Sequence, residues 1–247
     1  VRASIDGSRR LVPTDLAMNQ PRVNRPLTVA VVGVGEMGHN HARCLASMKG
    51  VDLVGVVDTD FDKSTQVASM YECRPLRSIQ ELPRVDAAVI SVPSALHAEG
   101  GCELMARGVH CLVEKPLALD REQAELLVAT ADSAEVVLQV GHIERFNPAV
   151  RQLKALVEDG VVLVANARRM SAVSGRVTDI DVVMDLMVHD LDIVLYLMGG
   201  QIAGVDARAI QGPNGTDHAT ALLSFLDGRL ASLTASRITQ NQIRQLE

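Results

Sequence analysis

Between residues 27 and 140 the chain alternates short apolar runs with segments of helical period. The apolar runs occupy 27–32, 51–57, 86–91, 109–113 and 136–140, and the helical segments fall at about 36–48, 61–70, 95–107 and 120–133. Ala87-Ala-Val-Ile90 and Val109-His-Cys-Leu-Val113 are almost continuously apolar, as strands buried on both faces are. This alternation predicts a doubly wound parallel sheet. After Gly141 the pattern changes. A helix is predicted at 146–158, then strands at 161–170, 202–210, 219–226 and 230–238, with Asp227-Gly228 as a hairpin turn between the last two. A further, very apolar helix runs from its cap at Asp181 to Met198. The chain therefore divides into an N-terminal extension (1–26), a parallel α/β domain (27–141) and an α+β domain with a mostly antiparallel sheet (142–247).

The junction of the first strand and first helix reads Gly33-x-Gly35-x-x-Gly38, and Asp58 follows 20 residues later at the end of the second apolar run. Strand, glycine turn, helix, strand and acid in this order form the dinucleotide-binding fingerprint of a Rossmann domain. Gly33 serves the tight turn. Gly35 lets backbone N–H groups approach a pyrophosphate, with Glu36 and Met37 in the first helical turn, and Gly38 allows close packing of helix on strand. Asp58 accepts hydrogen bonds from a ribose diol and repels a 2′-phosphate, which favours NAD over NADP. The first base beyond it is Lys63, so no cation stands out that would receive that phosphate.

Three other constellations carry chemistry. Glu114-Lys115-Pro116 ends the strand at 109–113, and ligands of open parallel sheets bind beyond the strands' carboxyl ends. Lys115 is there either a cleft residue or a solvated turn lysine. Asp185, His189, Asp192 and Tyr196 recur at i, i+4, i+7 and i+11, one narrow polar stripe on an otherwise apolar helix. Such a stripe needs partners or a cavity; the residues alone leave open a solvated face, a core histidine satisfied by Asp185, or a site. Asp190, off the stripe, reads as a surface or structural acid. Gly141-His-Ile-Glu-Arg-Phe-Asn-Pro148 is the hinge between the domains, where Arg145 binds an anionic substrate group or ties the domains together, with Asn147 beside it. Pro93 and His97 open the helix after strand 86–91 on the nicotinamide side, where His97 either contacts the cofactor or packs against the loop. His39, His41, His110 and His218 show no partner pattern, and nothing points to a metal site.

Composition narrows the field. Net charge is −6, which speaks against nucleic acid as a partner. Aromatic content of 2% with no Trp speaks against stacking platforms. No apolar run reaches the roughly 20 residues of a membrane span. Cys44, Cys73, Cys102 and Cys111 are scattered with no CxxC pair, as in a reducing cytoplasm. Ser8-Arg9-Arg10 lacks the apolar stretch that a twin-arginine signal requires. Because Met18 lies shortly before the first strand, residues 1–17 are expected to precede the natural start or to form a flexible extension.

The glycine turn, Asp58, Pro93 with His97, Glu114-Lys115-Pro116 and Asp185-x-x-x-His189, in this order, resemble the Gfo/Idh/MocA oxidoreductases over residues 27–247. Gly-His-Ile-Glu-Arg-Phe-Asn-Pro looks like the branch that includes UDP-N-acetylglucosamine 3-dehydrogenases. The resemblance implies NAD-dependent hydride transfer to or from a secondary alcohol of a sugar, nucleotide-sugar or cyclitol. It implies that Lys115 hydrogen-bonds the reacting hydroxyl, that His189 is the general acid/base, and that Asp185 orients His189 or holds a neighbouring hydroxyl. Cofactor contacts would come from Gly33, Gly35, Glu36, Met37, Gly38, Asp58, Pro93, His97, Glu114 and Lys115; substrate contacts from Arg145, Asn147, Asp185 and His189. Relatives continue with more strands, so the second sheet is expected to be incomplete at Glu247. Its face is expected to join copies into a homodimer or homotetramer. The alternative reading is a non-catalytic NAD-binding regulatory protein or a truncated pseudoenzyme of this fold.

Overall fold

The computed structural model describes residues 25–157, 160–172, 180–212 and 215–247. Most of the expected N-terminal extension and the last residue of the helix predicted at 146–158 lie outside that set. Strands β1 (Leu27–Val32), β2 (Val51–Val57), β3 (Arg74–Leu76), β4 (Ala87–Ile90), β5 (His110–Val113) and β6 (Leu138–Val140) form one parallel sheet in the order β3-β2-β1-β4-β5-β6. Helices α1 (Glu36–Ala46), α2 (Phe61–Tyr71), α3 (His97–Ala106) and α4 (Arg121–Ser133) cover its two faces. The period of two divides the strand residues between them. Val31, Val56 and Val89 pack with Ala42 of α1 and Val67 of α2, whereas Ala30, Val32, Ala88 and Ile90 pack with Leu104 of α3 and Leu127 of α4. Five strands are those the apolar runs predict. The sixth, β3, is a three-residue edge strand containing Pro75, too short to show a period and interrupted by the one residue that cannot donate to a ladder.

Register aligns the strand ends. Val32 pairs with Val57 and Ile90, Ile90 with Val113, and Val113 with Val140. The next residue of each strand continues the row: Gly33 N–H donates to Val57 O (2.8 Å), Ser91 N–H to Val32 O (2.7 Å), Glu114 N–H to Ile90 O (2.9 Å) and Gly141 N–H to Val113 O (2.7 Å). The glycine turn, Asp58, Glu114-Lys115 and the interdomain hinge thereby share one rim, open where the strand order reverses between β1 and β4.

The second domain holds α5 (Pro148–Val157), β7 (Val164–Met170), a π-helical turn (Val183–Met187) running into α6 (Val188–Met198), β8 (Ile202–Gly212), β9 (Gly215–Phe225), β10 (Leu230–Ser236) and β11 (Ile243–Leu246). Its sheet runs β11-β7-β10-β9-β8, parallel between β7 and β10 and antiparallel elsewhere. Gly228, at φ +87°, makes the expected turn between β9 and β10. One face of the sheet packs Ala167, Ala221, Leu223 and Leu233 against Val182, Met187, Val194 and Met198 of the helix. Two expectations are corrected. The segment predicted as a strand from 161 begins its pairing at Val164, and the helix from 181 to 198 is not uniform but opens with the π turn. Among the described residues no helix is long and apolar enough to cross a membrane.

Candidate active site

The glycines build the cofactor side of the cleft. Gly33 has φ +87°, and a Cβ there would lie 2.5 Å from the Ser91 carbonyl oxygen; a Cβ on Gly38 would overlap the carbonyl oxygen of Gly33. Around Gly35, by contrast, no atom lies within 4 Å of where its Cβ would be, so the chain leaves an open cradle. Gly35 is also the N-cap of α1, with Glu36, Met37 and Gly38 in the first turn, which sets the positive end of the helix dipole at that cradle. Asp58 stands at the end of β2. Its Oδ2 accepts the Val34 N–H and its Oδ1 the Asp60 N–H, both at 2.9 Å. Each oxygen keeps a lone pair for a ribose hydroxyl. Gly33, Gly35, Asp58 and Pro93 line a cleft of about 470 Å³. An anion cradle followed by a fixed acid fits a dinucleotide with a free ribose diol.

Two cations line the same cleft. Lys63 pairs with Asp60 at 3.2 Å, and the Arg77 guanidinium lies 3.8 Å above the Phe61 ring. Arg77 is far from Asp58 in sequence and arrives beside it through β3. We expect Asp58→Asn to raise the NADP-to-NAD affinity ratio roughly tenfold, the ratio that about 1.4 kcal/mol of relieved repulsion corresponds to. Titration calorimetry of both cofactors measures it, and an equal loss for the two would remove Asp58 as the discriminating group.

Lys115 leaves the rim after β5 and crosses to the second domain. Its Nζ donates to the Asp185 carbonyl oxygen at 3.0 Å and lies 3.5 Å from Asp185 Oδ1. The Lys115–Pro116 bond is cis. Glu114, buried beneath it, receives His41 Nε2 at 2.6 Å and the Lys115 N–H at 3.2 Å, and presses on Gly141, where a Cβ would come within 3.0 Å of the carboxyl carbon. Burial alone would raise the Glu114 carboxyl, but the His41 hydrogen bond and charge, with the Lys115 amide, hold it below the usual carboxylate range. His41 thus ties the cofactor helix to the strand end that carries Lys115.

His189 follows Asp185 by one turn. Burial, then the charges of Lys115 and Arg169, lower its pKa from 6.5 to about 4, so the ring is neutral at physiological pH. Its Nδ1 is buried and has no hydrogen-bond partner among the described residues. His142, at the hinge, is another partly buried imidazole. Its pKa is lowered chiefly by burial, its Nδ1 likewise has no partner among the described residues, and its Nε2 lies 3.8 Å from Asp192 Oδ1. A neutral folded-state His189 has a stability consequence. Above pH 6.5 both folded and unfolded states leave it unprotonated; as pH falls from 6.5 toward 4 the unfolded chain takes the proton first, and stability drops. We expect His189→Gln to flatten the fall in melting temperature across that window. Parallel profiles for the two proteins would contradict the depressed value.

The rest of the stripe, Asp192 and Tyr196, engages Arg145 of the hinge. Asp192 takes both Nε (2.7 Å) and Nη2 of Arg145, and that guanidinium lies 5.2 Å from the Tyr196 ring centre. The Arg145 guanidinium thereby anchors the hinge segment to α6 within the second domain. Asn147 accepts the Ala149 N–H at 3.0 Å and donates to Glu144 at 3.2 Å, so it caps α5. Asp190 is the structural acid rather than a surface one: it is buried and binds Arg169, which also reaches Glu144 at 3.2 Å. Of the two roles open to His97, its surroundings match packing against the loop. It is 1% exposed, with Nδ1 2.8 Å from Pro116 O and Nε2 3.0 Å from Val92 O, so it clips together two loops behind the cleft.

Arg169, Arg237 and Asp217 are the buried charges that motif reading missed. They do have a signal: each shares the parity of apolar neighbours, Ala165 and Ala167 for Arg169, Leu233 and Ala235 for Arg237, Ala219 and Ala221 for Asp217. That alternation points a charge inward, where it requires a partner.

Two family models match the chain. Residues 27–142 match the oxidoreductase family described as having an NAD-binding Rossmann fold, and residues 168–247 match the GFO/IDH/MocA C-terminal domain. UDP-N-acetylglucosamine 3-dehydrogenase of Acidithiobacillus ferrooxidans is 37% identical over 224 residues, which cover 89% of this chain and 70% of that protein. Inositol 2-dehydrogenase of Rhodococcus jostii is 33% identical over 190 residues, covering 72% of this chain and only 52% of that protein. The solved structure of the Acidithiobacillus enzyme superposes with a TM-score of 0.84 over 90% of this chain and 73% of that one, at 36% identity. GenD2 of gentamicin A biosynthesis, solved in complex with NAD, gives 0.83 at 28% identity, over 90% of this chain and 68% of that one.

Proposed function

This chain belongs to the Gfo/Idh/MocA oxidoreductase family, and we propose that it transfers hydride between NAD and a secondary alcohol of a sugar, with a nucleotide-linked sugar as the preferred substrate. One observation carries the proposal: Lys115, on the rim that also bears the glycine cradle and Asp58, meets Asp185 across the domain boundary, one helical turn from a neutral His189. The preference for a nucleotide-sugar rests on the higher identity to the Acidithiobacillus enzyme than to the inositol dehydrogenases.

Bound NAD supplies the hydride acceptor for the carbinol carbon. The remaining work belongs to the chain. The Lys115 ammonium donates a hydrogen bond to the reacting oxygen and stabilises negative charge on it as the O–H bond weakens. Neutral His189 takes the hydroxyl proton on a ring nitrogen, leaving a ketone. Asp185 holds the Lys115 ammonium between its carboxylate and its own carbonyl. Arg145 and Asp192 fix the hinge, and the open face of the second sheet joins copies of the chain. The test mixes protein and NAD with UDP-N-acetylglucosamine, myo-inositol or scyllo-inositol and follows the reduced-nicotinamide absorbance. Reduction fastest with UDP-N-acetylglucosamine is expected. NAD binding with no reduction by any of the three would favour the non-catalytic alternative.

A further inference from the structure

Behind Asp185 lies a second cation. Arg237, in the residue after β10, is 6% exposed. Its Nη1 lies 3.6 Å from Asp185 Oδ2 and donates to the Ile180 carbonyl oxygen at 2.9 Å. Its Nε (3.1 Å) and Nη2 (2.9 Å) both reach Asp217 Oδ1, and its own N–H donates to Asp217 O at 2.8 Å. Asp217, on β9, is 1% exposed. The Asp185 carboxylate is therefore held from two sides, Oδ1 by Lys115 of the first domain and Oδ2 by Arg237 of the second. Arg237 also grips the chain just before the cap of the π turn on which Asp185 stands. That turn is wider than an α-helical one, and such turns persist where the surroundings hold them. The bonds to Asp217 and Ile180 lock the planar guanidinium, so the sheet fixes its position.

We propose that Arg237, anchored by Asp217, is a positioning residue for the reaction: it fixes the Asp185 carboxylate and through it the Lys115 ammonium. The inference rests on the proposed roles of Lys115 and Asp185, and the experiment separates the two. In the purified protein, with NAD and UDP-N-acetylglucosamine or whichever probe alcohol turns over, Asp185→Asn, Arg237→Gln, their double variant and Arg237→Lys are compared. Kinetics, NAD affinity, the isotope effect of a carbinol-deuterated substrate and melting temperature are recorded for each. Arg237→Gln is expected to lower kcat at least tenfold, leave the NAD Kd within about twofold and raise the isotope effect, with partial recovery in Arg237→Lys. Because Arg237 acts through Asp185, the double variant is expected to be no slower than Asp185→Asn alone. If Asp185→Asn is fully active, the underlying reading fails. If Asp185→Asn is impaired but the Arg237 losses add to it, or the isotope effect stays unchanged, the positioning role is overturned and Arg237 is structural. Should Arg237→Gln not fold, Asp217→Asn and Arg237→Lys carry the same comparison, since each loosens the same clamp while keeping a cation.

Discussion

His189→Ala is expected to lose about 10² to 10⁴ in kcat for alcohol oxidation while binding NAD as tightly as the parent. The size follows from what replaces the imidazole. Proton transfer from the hydroxyl must accompany departure of hydride, and without a positioned base the proton must pass to a solvent molecule that nothing orients. The environment of His189 suits a base rather than an acid in the free protein. Burial together with the charges of Lys115 and Arg169 brings its pKa to about 4, so nearly every molecule carries the neutral ring at pH 7. The same depressed value places the acid limb of kcat/KM for oxidation below the ordinary histidine range. Steady-state kinetics on the purified variant, with NAD affinity measured separately, decides the matter. A kcat within threefold of the parent would remove His189 from proton transfer.

Lys115→Ala is expected to cost about 10² to 10³ in kcat/KM, the loss typical of removing one preorganised donor from developing oxyanion charge. A lysine that only joined the domains would behave differently: the variant would melt earlier and turn over normally. The geometry argues for survival of the fold, because Arg237 still faces Asp185 at 3.6 Å and Arg145 still bridges to Asp192. Lys115→Arg is not expected to restore activity, since a planar guanidinium cannot place a point donor where the ammonium stands. Normal turnover in Lys115→Ala, with a lowered melting temperature, would reassign the residue to structure.

How much of this was legible differs between the halves of the chain. Parallel strands buried on both faces appear as continuous apolar runs, so β1, β2, β4, β5 and β6 and the rim they create could be located, and the glycine turn and Asp58 could be placed on that rim. β3 could not: three residues with a proline carry no period. Without β3, Arg77 had no route to the side of Asp58. The stripe was legible because helical spacing survives a single wide turn, and it brings Asp185 to Lys115 and Asp192 to Arg145. The π turn itself has no signature in Val183-Met-Asp-Leu-Met187. The bond from His41 to Glu114 joins residues 73 positions apart, and local pattern does not encode such a pairing. Arg169, Arg237 and Asp217 differ again. Period two announces them as inward charges, and only their partners required the fold.

The central claim is that Lys115 and His189 serve hydride transfer from a sugar carbinol to NAD. UDP-N-acetylglucosamine carrying deuterium at sugar C3, incubated with the protein and NAD, tests it most directly, with the nicotinamide product read by mass spectrometry. The account predicts deuterium in the reduced nicotinamide ring from the parent protein, and little or none over the same interval from Lys115→Ala or His189→Ala. Reduced nicotinamide without deuterium, or equal labelling from all three proteins, would contradict it.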